Sequence, residues 1–218
     1  MNNPISKLHL DILDTPRQDV FTLLRDIPKD FVLGGGTAIA LQLNHRKSYD
    51  FDFFSEQPIS QKLLLKMRDI FLGHSVVPVI DNADELTIMI DNAVKVSFIA
   101  YPFPSLHPIV EYDGIRLFDI RDLASNKAYT IGRRGVWRDY VDMFFLVRDG
   151  GLKLSDIIAE TQKRFSGAFN PKLFLEQLMY FSDIDDFSLE YIGETDTTEY
   201  IQTALVVEVE KVMKIEVD

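Results

Sequence analysis

Asp50 and Asp52 alternate with Phe51 and Phe53, shortly after a run of glycines, Gly34-Gly35-Gly36. On a strand, residues two apart face the same side, so both carboxylates point one way and both rings the other. Two strand steps span roughly 6.6 Å, which lets two carboxylates share one cation or bridge a pair about 3.5–4 Å apart. Oxygen donors of this kind select magnesium or manganese. The glycines follow the apolar run Phe31-Val32-Leu33 and precede a helical stretch beginning at Thr37. A strand that runs through glycine into a helix brings backbone N–H groups and the positive end of the helix dipole together. A phosphate can approach closely there. A glycine turn alone is often only a tight bend, and Asp-x-Asp alone only a solvated edge. In strand–glycine–helix–strand order, with Arg46, Lys47 and Ser48 between them, the two features outweigh that simpler explanation.

Other chemistries fall away. The absence of cysteine removes disulfides, thiolate metal sites and cysteine nucleophiles. His9, His45, His74 and His107 are far apart and lack metal-ligand spacing. Neither a Gly-x-Ser-x-Gly elbow nor a phosphate-binding P-loop pattern occurs. Phe165, Phe169, Phe174, Tyr180 and Phe181 read as core residues, not as a base-stacking platform.

The elements that must carry the two aspartates are legible. Asp14-Thr15-Pro16 opens a first helix with a capping side chain and an early proline, and Pro28 ends it. Strands are predicted at 31–33 and 49–54, a helix at 37–43 between them, and an amphipathic helix at 60–72. Strand runs follow at 75–80, 86–90 and 94–101, then a hairpin turning at Asp113-Gly114. From Ile120 the period becomes helical, over 121–132, 137–149, 154–164, 171–181 and finally about 197–213. The expectation is an α+β chain: a mixed sheet with flanking helices over residues 1–104, then a mainly helical region over 105–218.

The 218 residues carry 23 Lys and Arg against 34 Asp and Glu, a net charge of −11. Residues 183–218 hold −9 of it, leaving 1–182 near neutral at −2. Such a balance argues against coating nucleic acid by bulk electrostatics. No apolar run approaches the roughly 20 residues of a membrane helix. MNNPISKLHL has neither a basic nor an apolar leader region. A cytoplasmic protein with no membrane contact is expected.

The stretch GGGTAIALQLNHRKSYDFDFFS resembles the signature of nucleotidyltransferases with the polymerase-β-type fold, and more closely that of the AbiEii/AbiGii toxin family. The matching positions are Gly35, Gly36, Thr37, Ala38, Arg46, Ser48, Asp50, Asp52 and Phe53. A second block is similar to the family's lysine helix and its Arg-Asp-x-x-Asp helix: Asp122 to Ala128 with Lys127, then Arg133 and Arg134, then Arg138 to Leu146 with Asp139 and Asp142. The resemblance implies a nucleotidyltransferase-type sheet on which Gly34, Gly35, Gly36, Thr37, Arg46 and Ser48 hold the triphosphate of an NTP. Asp50 and Asp52 would hold Mg2+ or Mn2+, and Lys127 would contact nucleotide phosphate. Asp139 or Asp142 would position Lys127 or the acceptor, although ion pairs with Arg133, Arg134 or Arg138 explain these two acids equally well.

The implied reaction moves a nucleoside monophosphate to a tRNA or protein acceptor, with Lys127, Arg133, Arg134 and Arg138 as cations for RNA. The implied setting is a toxin–antitoxin or phage-defence pair with a cognate antitoxin. The chain departs from the pattern in one place. Where many such enzymes carry a third carboxylate as general base, the strand around Val94–Ala100 offers Ser97 or Lys95, and Asp91 lies before it. The alternative this raises is a catalytically degenerate nucleotide- or partner-binding protein on the same fold.

Overall fold

The computed structural model describes residues 7–133, 135–193 and 196–215. The chain forms two compact units: one of residues up to Gln42 together with Ser48–Asp119, the other of Leu43–Lys47 together with Ile120 onward.

The first unit is built on one mixed sheet. Its strands are β1 (Val32–Gly34), β2 (Asp50–Ser55), β3 (Val76–Asp81), β4 (Glu85–Ile90), β5 (Val94–Ala100), β6 (Val110–Tyr112) and β7 (Ile115–Leu117), in the order β3-β4-β5-β2-β1-β7-β6. Pairs β2–β5 and β1–β7 are parallel, and the others antiparallel. The hairpin at Asp113-Gly114 adds β6 and β7 to this sheet, so the unit runs on to Asp119. Three helices belong to it: α1 (Thr15–Leu23), α2 (Gly35–Leu43) and α3 (Leu63–Ile70). Asp14 caps α1 by accepting the Arg17 N–H at 3.2 Å, with Pro16 in the first turn, as the sequence leads one to expect.

One face of the sheet is dry. Phe51, Phe53, Leu86, Ile88, Val96 and Phe98 are buried there, with Phe53 stacked on Phe98 at 5.5 Å and Phe21 of α1 lying 6.0 Å from Phe51. Burying this aromatic layer is the main apolar driving force of the unit, and it fixes which way β2 faces. The alternation then forces Asp50 and Asp52 onto the opposite face.

The second unit is helical: α4 (Ile120–Ile131), α5 (Trp137–Arg148), α6 (Leu154–Phe165), α7 (Pro171–Leu178) and α8 (Thr198–Ile215). Helix α4 packs against α5, α6 and α7, and α8 closes on α5, α6 and α7. Ile201, Leu205, Val209 and Val212 form the buried stripe of α8 at helical spacing, which settles its Val-rich centre as helix. Arg164 of α6 reaches Asp122 of α4 at 3.2 Å and the Ser125 hydroxyl at 3.1 Å, an ion pair buried on both sides. Among the described residues no helix is long and apolar enough to cross a membrane.

Candidate active site

In the first unit, β1 enters α2 through Gly35, whose φ of +65° turns the chain at no steric cost. The helix therefore begins at Gly35, two residues before the expected Thr37. Gly34 pairs with Asp52 across the antiparallel β1–β2 ladder. A Cβ on Gly35 would lie 2.8 Å from Asp52 Oδ2, and one on Gly34 would lie 2.6 Å from the Phe54 ring. The two glycines thus make room for the protein's own side chains: one seats the Asp52 carboxylate beside the start of α2, the other the Phe54 ring.

Thr37 and Ser48 are both buried, their hydroxyls 2.7 Å apart, and the Thr37 hydroxyl also donates to the Asp50 carbonyl. This brace ties the first turn of α2 to the start of β2. Asp50 and Asp52 are half-buried, and Phe51 and Phe53 lie on the dry face, as the alternation requires. Lys95 of β5, directly opposite Asp50 in the parallel register, closes an ion pair with it at 2.9 Å. The acid facing Ser97 is Asp52. Asp91 sits in the β4–β5 turn, bound to His74 at 2.7 Å and to the Ser75 N–H at 2.8 Å.

No group of three or more His, Asp or Glu among the described residues could hold a metal ion by itself. Two hard carboxylates on one face still fit Mg2+ or Mn2+, since magnesium keeps several waters and is bound by one or two carboxylates plus substrate phosphates. The donor set fits a cation that arrives with a nucleotide.

Arg46, Lys127, Asp139 and Asp142 belong to the second unit, where they form one buried network. Asp142, fully buried on α5, accepts two hydrogen bonds from Arg46, at 2.6 and 2.9 Å. It is also 2.7 Å from His45 Nε2 and 2.9 Å from Lys127 Nζ. Lys127 spans from Asp142 to Asp139 at 2.8 Å, and Asp139 in turn accepts the Val136 N–H at the start of α5. Burial pushes the Asp142 carboxyl up, but the charges of Arg46 and Lys127 and the hydrogen bonds from His45 and Arg46 hold it well below the usual range. Burial likewise opposes the Lys127 charge, and Asp142 with Asp139 outweighs it, leaving the ammonium above its ordinary value.

Burial dominates at His45 and lowers its pKa despite the bond to Asp142. Burial thus favours neutral His45, in which an Nε2–H would donate to Asp142, and Nδ1 has no hydrogen-bond partner among the described residues. A second proton would add a cation beside Arg46 and Lys127 with no acceptor for it. Spacing along the chain hid this histidine, because its partner lies 97 residues away. The segment carrying Arg46 is itself held by the tail: Lys47 N–H donates to the Glu190 carbonyl at 2.8 Å and Ile192 N–H to that of His45 at 3.1 Å. Of the other cations, Arg133 lies over the Tyr129 ring at 4.3 Å, Arg138 is exposed, and Arg134 falls outside the described residues.

A mixed sheet entered by a strand–glycine–helix turn, with paired carboxylates on the adjoining strand, is the architecture of nucleotidyltransferases. JHP933 from Helicobacter pylori shares the fold, with a TM-score of 0.59 at 16% identity over 93% of this chain and 94% of that one. MenT4, a nucleotidyltransferase toxin of Mycobacterium tuberculosis H37Rv, shares it with a TM-score of 0.60 at 13% identity over 89% and 82%. The chain is also 32% identical over 161 residues to an uncharacterized protein of Aquifex aeolicus, covering 72% of this chain and 76% of its relative. Residues 23–203 match the model of the nucleotidyl transferase AbiEii toxins of type IV toxin–antitoxin systems, and the chain belongs to that family.

Proposed function

We propose that the protein transfers a nucleoside monophosphate from an NTP to a macromolecular hydroxyl, releasing pyrophosphate, as the toxin of a toxin–antitoxin or phage-defence pair acting in the cytoplasm. The observation that carries this reading is the placement of Asp50 and Asp52 on one sheet face, with Asp52 seated against the glycine turn that opens α2. Mg2+ or Mn2+ held by these carboxylates would polarise the phosphates and offset the charge that develops on transfer. The backbone of Gly34–Gly36 and the N-terminal end of α2 orient the triphosphate, with Thr37 and Ser48 fixing that turn. Lys95 serves as counter-ion to Asp50. Lys127, whose ammonium is held by Asp139 and Asp142, would contact nucleotide phosphate. The acceptor is a tRNA end, which exposed Arg133 and Arg138 attract locally, and a small antitoxin restrains the activity.

Ser97 in place of a third acid favours a second reading, a degenerate nucleotide-binding protein. One experiment separates the two. Incubation with each α-labelled NTP, Mg2+ or Mn2+, total tRNA and cell lysate labels a tRNA in the first reading. Asp50→Asn or Asp52→Asn then abolishes labelling while circular dichroism stays unchanged. Wild-type protein that binds NTP yet labels nothing with either metal belongs to the second reading, and labelling that survives both substitutions removes the assignment of the aspartates.

A further inference from the structure

The sheet face that carries Asp50 and Asp52 does not end with them. Phe54, two residues further along β2, lies on the same face, and its partner on β1 is Val32, as that of Asp52 is Gly34. The Phe54 ring fills the place a Gly34 side chain would take: a Cβ there would lie 2.6 Å from that ring and 3.1 Å from Phe118. Strand β5 ends at Ala100, beside Ser55 at the end of β2, and the Tyr101 N–H donates to the Ser55 carbonyl at 2.7 Å. The Tyr101 ring stands 5.1 Å from Phe54, Phe103 5.1 Å from Tyr101, and Phe118 6.0 Å from Phe54. These rings, all within the first unit, line a cavity of about 300 Å³. Its charged lining is Asp30, Glu56 and Arg116, so both acceptors and donors meet the edge of a ring held there. Two acids against one cation repel a phosphate but not an uncharged base.

We propose that this cavity holds the unpaired terminal nucleobase of the RNA acceptor. The inference rests on the transferase reading above and adds to it the part of the acceptor that is recognised. The direction follows from the strands. β1 runs from Val32 to Gly34 and into the glycine turn, so antiparallel β2 moves away from that turn as it passes from Asp50 through Asp52 to Phe54. With the triphosphate at the turn, pyrophosphate leaves on that side of the α-phosphorus. Attack and departure are roughly in line, so the acceptor hydroxyl enters from the opposite side. Phe54 stands on that side, roughly 6.6 Å along the strand from Asp52. A single-stranded RNA end can turn its last base out of the stack, and aromatic side chains take such bases by their faces. Stacking needs no positive charge, which suits an acidic cavity in a chain of net charge −11. A base seated among these rings directs its own ribose hydroxyls toward the aspartates.

The test measures filter binding of total tRNA and transfer of a labelled NTP to it by the full chain. Phe103 lies outside the helices and strands and is half-buried, so replacing it spares the sheet. Phe103→Ala should weaken tRNA binding about tenfold and raise the tRNA KM by a similar factor, with the NTP KM and the salt dependence of binding unchanged. Phe103→Tyr should keep the wild-type affinity, whereas Phe103→Leu, apolar but without a ring face, should not. A second arm uses an oligoribonucleotide with the sequence of a tRNA 3′ end and the same RNA with an abasic ribose as its last residue, which keeps both hydroxyls. The wild type should bind the abasic RNA as weakly as Phe103→Ala binds the intact one. Equal wild-type affinity for intact and abasic RNA, or a Phe103→Ala protein that binds tRNA like the wild type, overturns the base site, and persistent labelling then leaves the transferase standing. A Phe103→Ala effect on the NTP KM alone assigns the cavity to the donor's base and also overturns it. A wild type that labels nothing yet prefers intact to abasic RNA keeps the base site and removes the transferase reading.

Discussion

The glycine run works first for the protein's own side chains. Gly35 combines a left-handed φ of +65° with the Asp52 carboxylate in the space a methyl group would fill, whereas a methyl group on Gly34 would meet the Phe54 and Phe118 rings. Gly35→Ala should cost about 1–2 kcal/mol from the backbone alone and displace Asp52, so transfer is lost as in Asp52→Asn. Gly34→Ala should cost about 1–3 kcal/mol through overpacking with a smaller loss of rate. Thermal denaturation beside tRNA labelling checks both, and a Gly35→Ala protein with wild-type rate would contradict the seating of Asp52. His45 gives a pH signature. Its pKa is lowered in the folded chain, so below the ordinary value of 6.5 the unfolded chain takes up a proton that the native one does not. Stability should fall as pH drops below about 6.5, by at most about 1.4 kcal/mol per pH unit from this group. His45→Gln can still donate to Asp142, and its urea midpoint should drop less than that of wild type between pH 7 and pH 5. Equal drops would show that His45 titrates normally.

Buried charge bridges helices α4 and α5, with Lys127 of α4 meeting Asp139 and Asp142 of α5. Asp142→Ala leaves Arg46 and Lys127 buried without their shared partner and should cost about 3–5 kcal/mol. Lys127→Met should cost less, since Asp142 keeps Arg46 and His45, and it should also weaken NTP binding. Calorimetric titration with NTP beside urea denaturation separates the effects: lost stability with unchanged NTP affinity would confine Lys127 to the network. The starts of α1 and α7 were readable because local signals set them. Asn170 accepts the Leu173 N–H at 3.2 Å ahead of Pro171, and the Phe51/Phe53 alternation fixed the face of the aspartates. The network was not readable. His45 and Arg46 find Asp142 across nearly 100 residues, and nothing in local spacing distinguishes that pairing from ion pairs with Arg133 or Arg138.

At the scale of the whole chain, the acidity of the last 36 residues has to be separated from their structural work. Residues 190–192 bond to the segment carrying Arg46, and α8 buries Ile201, Leu205, Val209 and Val212, so cutting the chain near residue 183 removes core as well as charge. Charge is better removed in place. Asp183, Asp185 and Glu210 are exposed, and replacing them with Asn, Asn and Gln takes the net charge from −11 to −8 while leaving the buried stripe of α8 intact. Exposed substitutions of this kind change stability by about 0.5 kcal/mol or less. If these charges keep a protein with cationic Arg133 and Arg138 off nucleic acid in general, the triple variant should bind total tRNA more tightly at low ionic strength. The gain should shrink as salt rises, because the repulsion is screened over a Debye length of about 10 Å at 0.1 M. Filter binding across a salt series measures it. Equal affinity of the two proteins at low salt would reduce the acidic surface to a solvating one, and a gain that persists at high salt would point to a direct contact formed by the new amides.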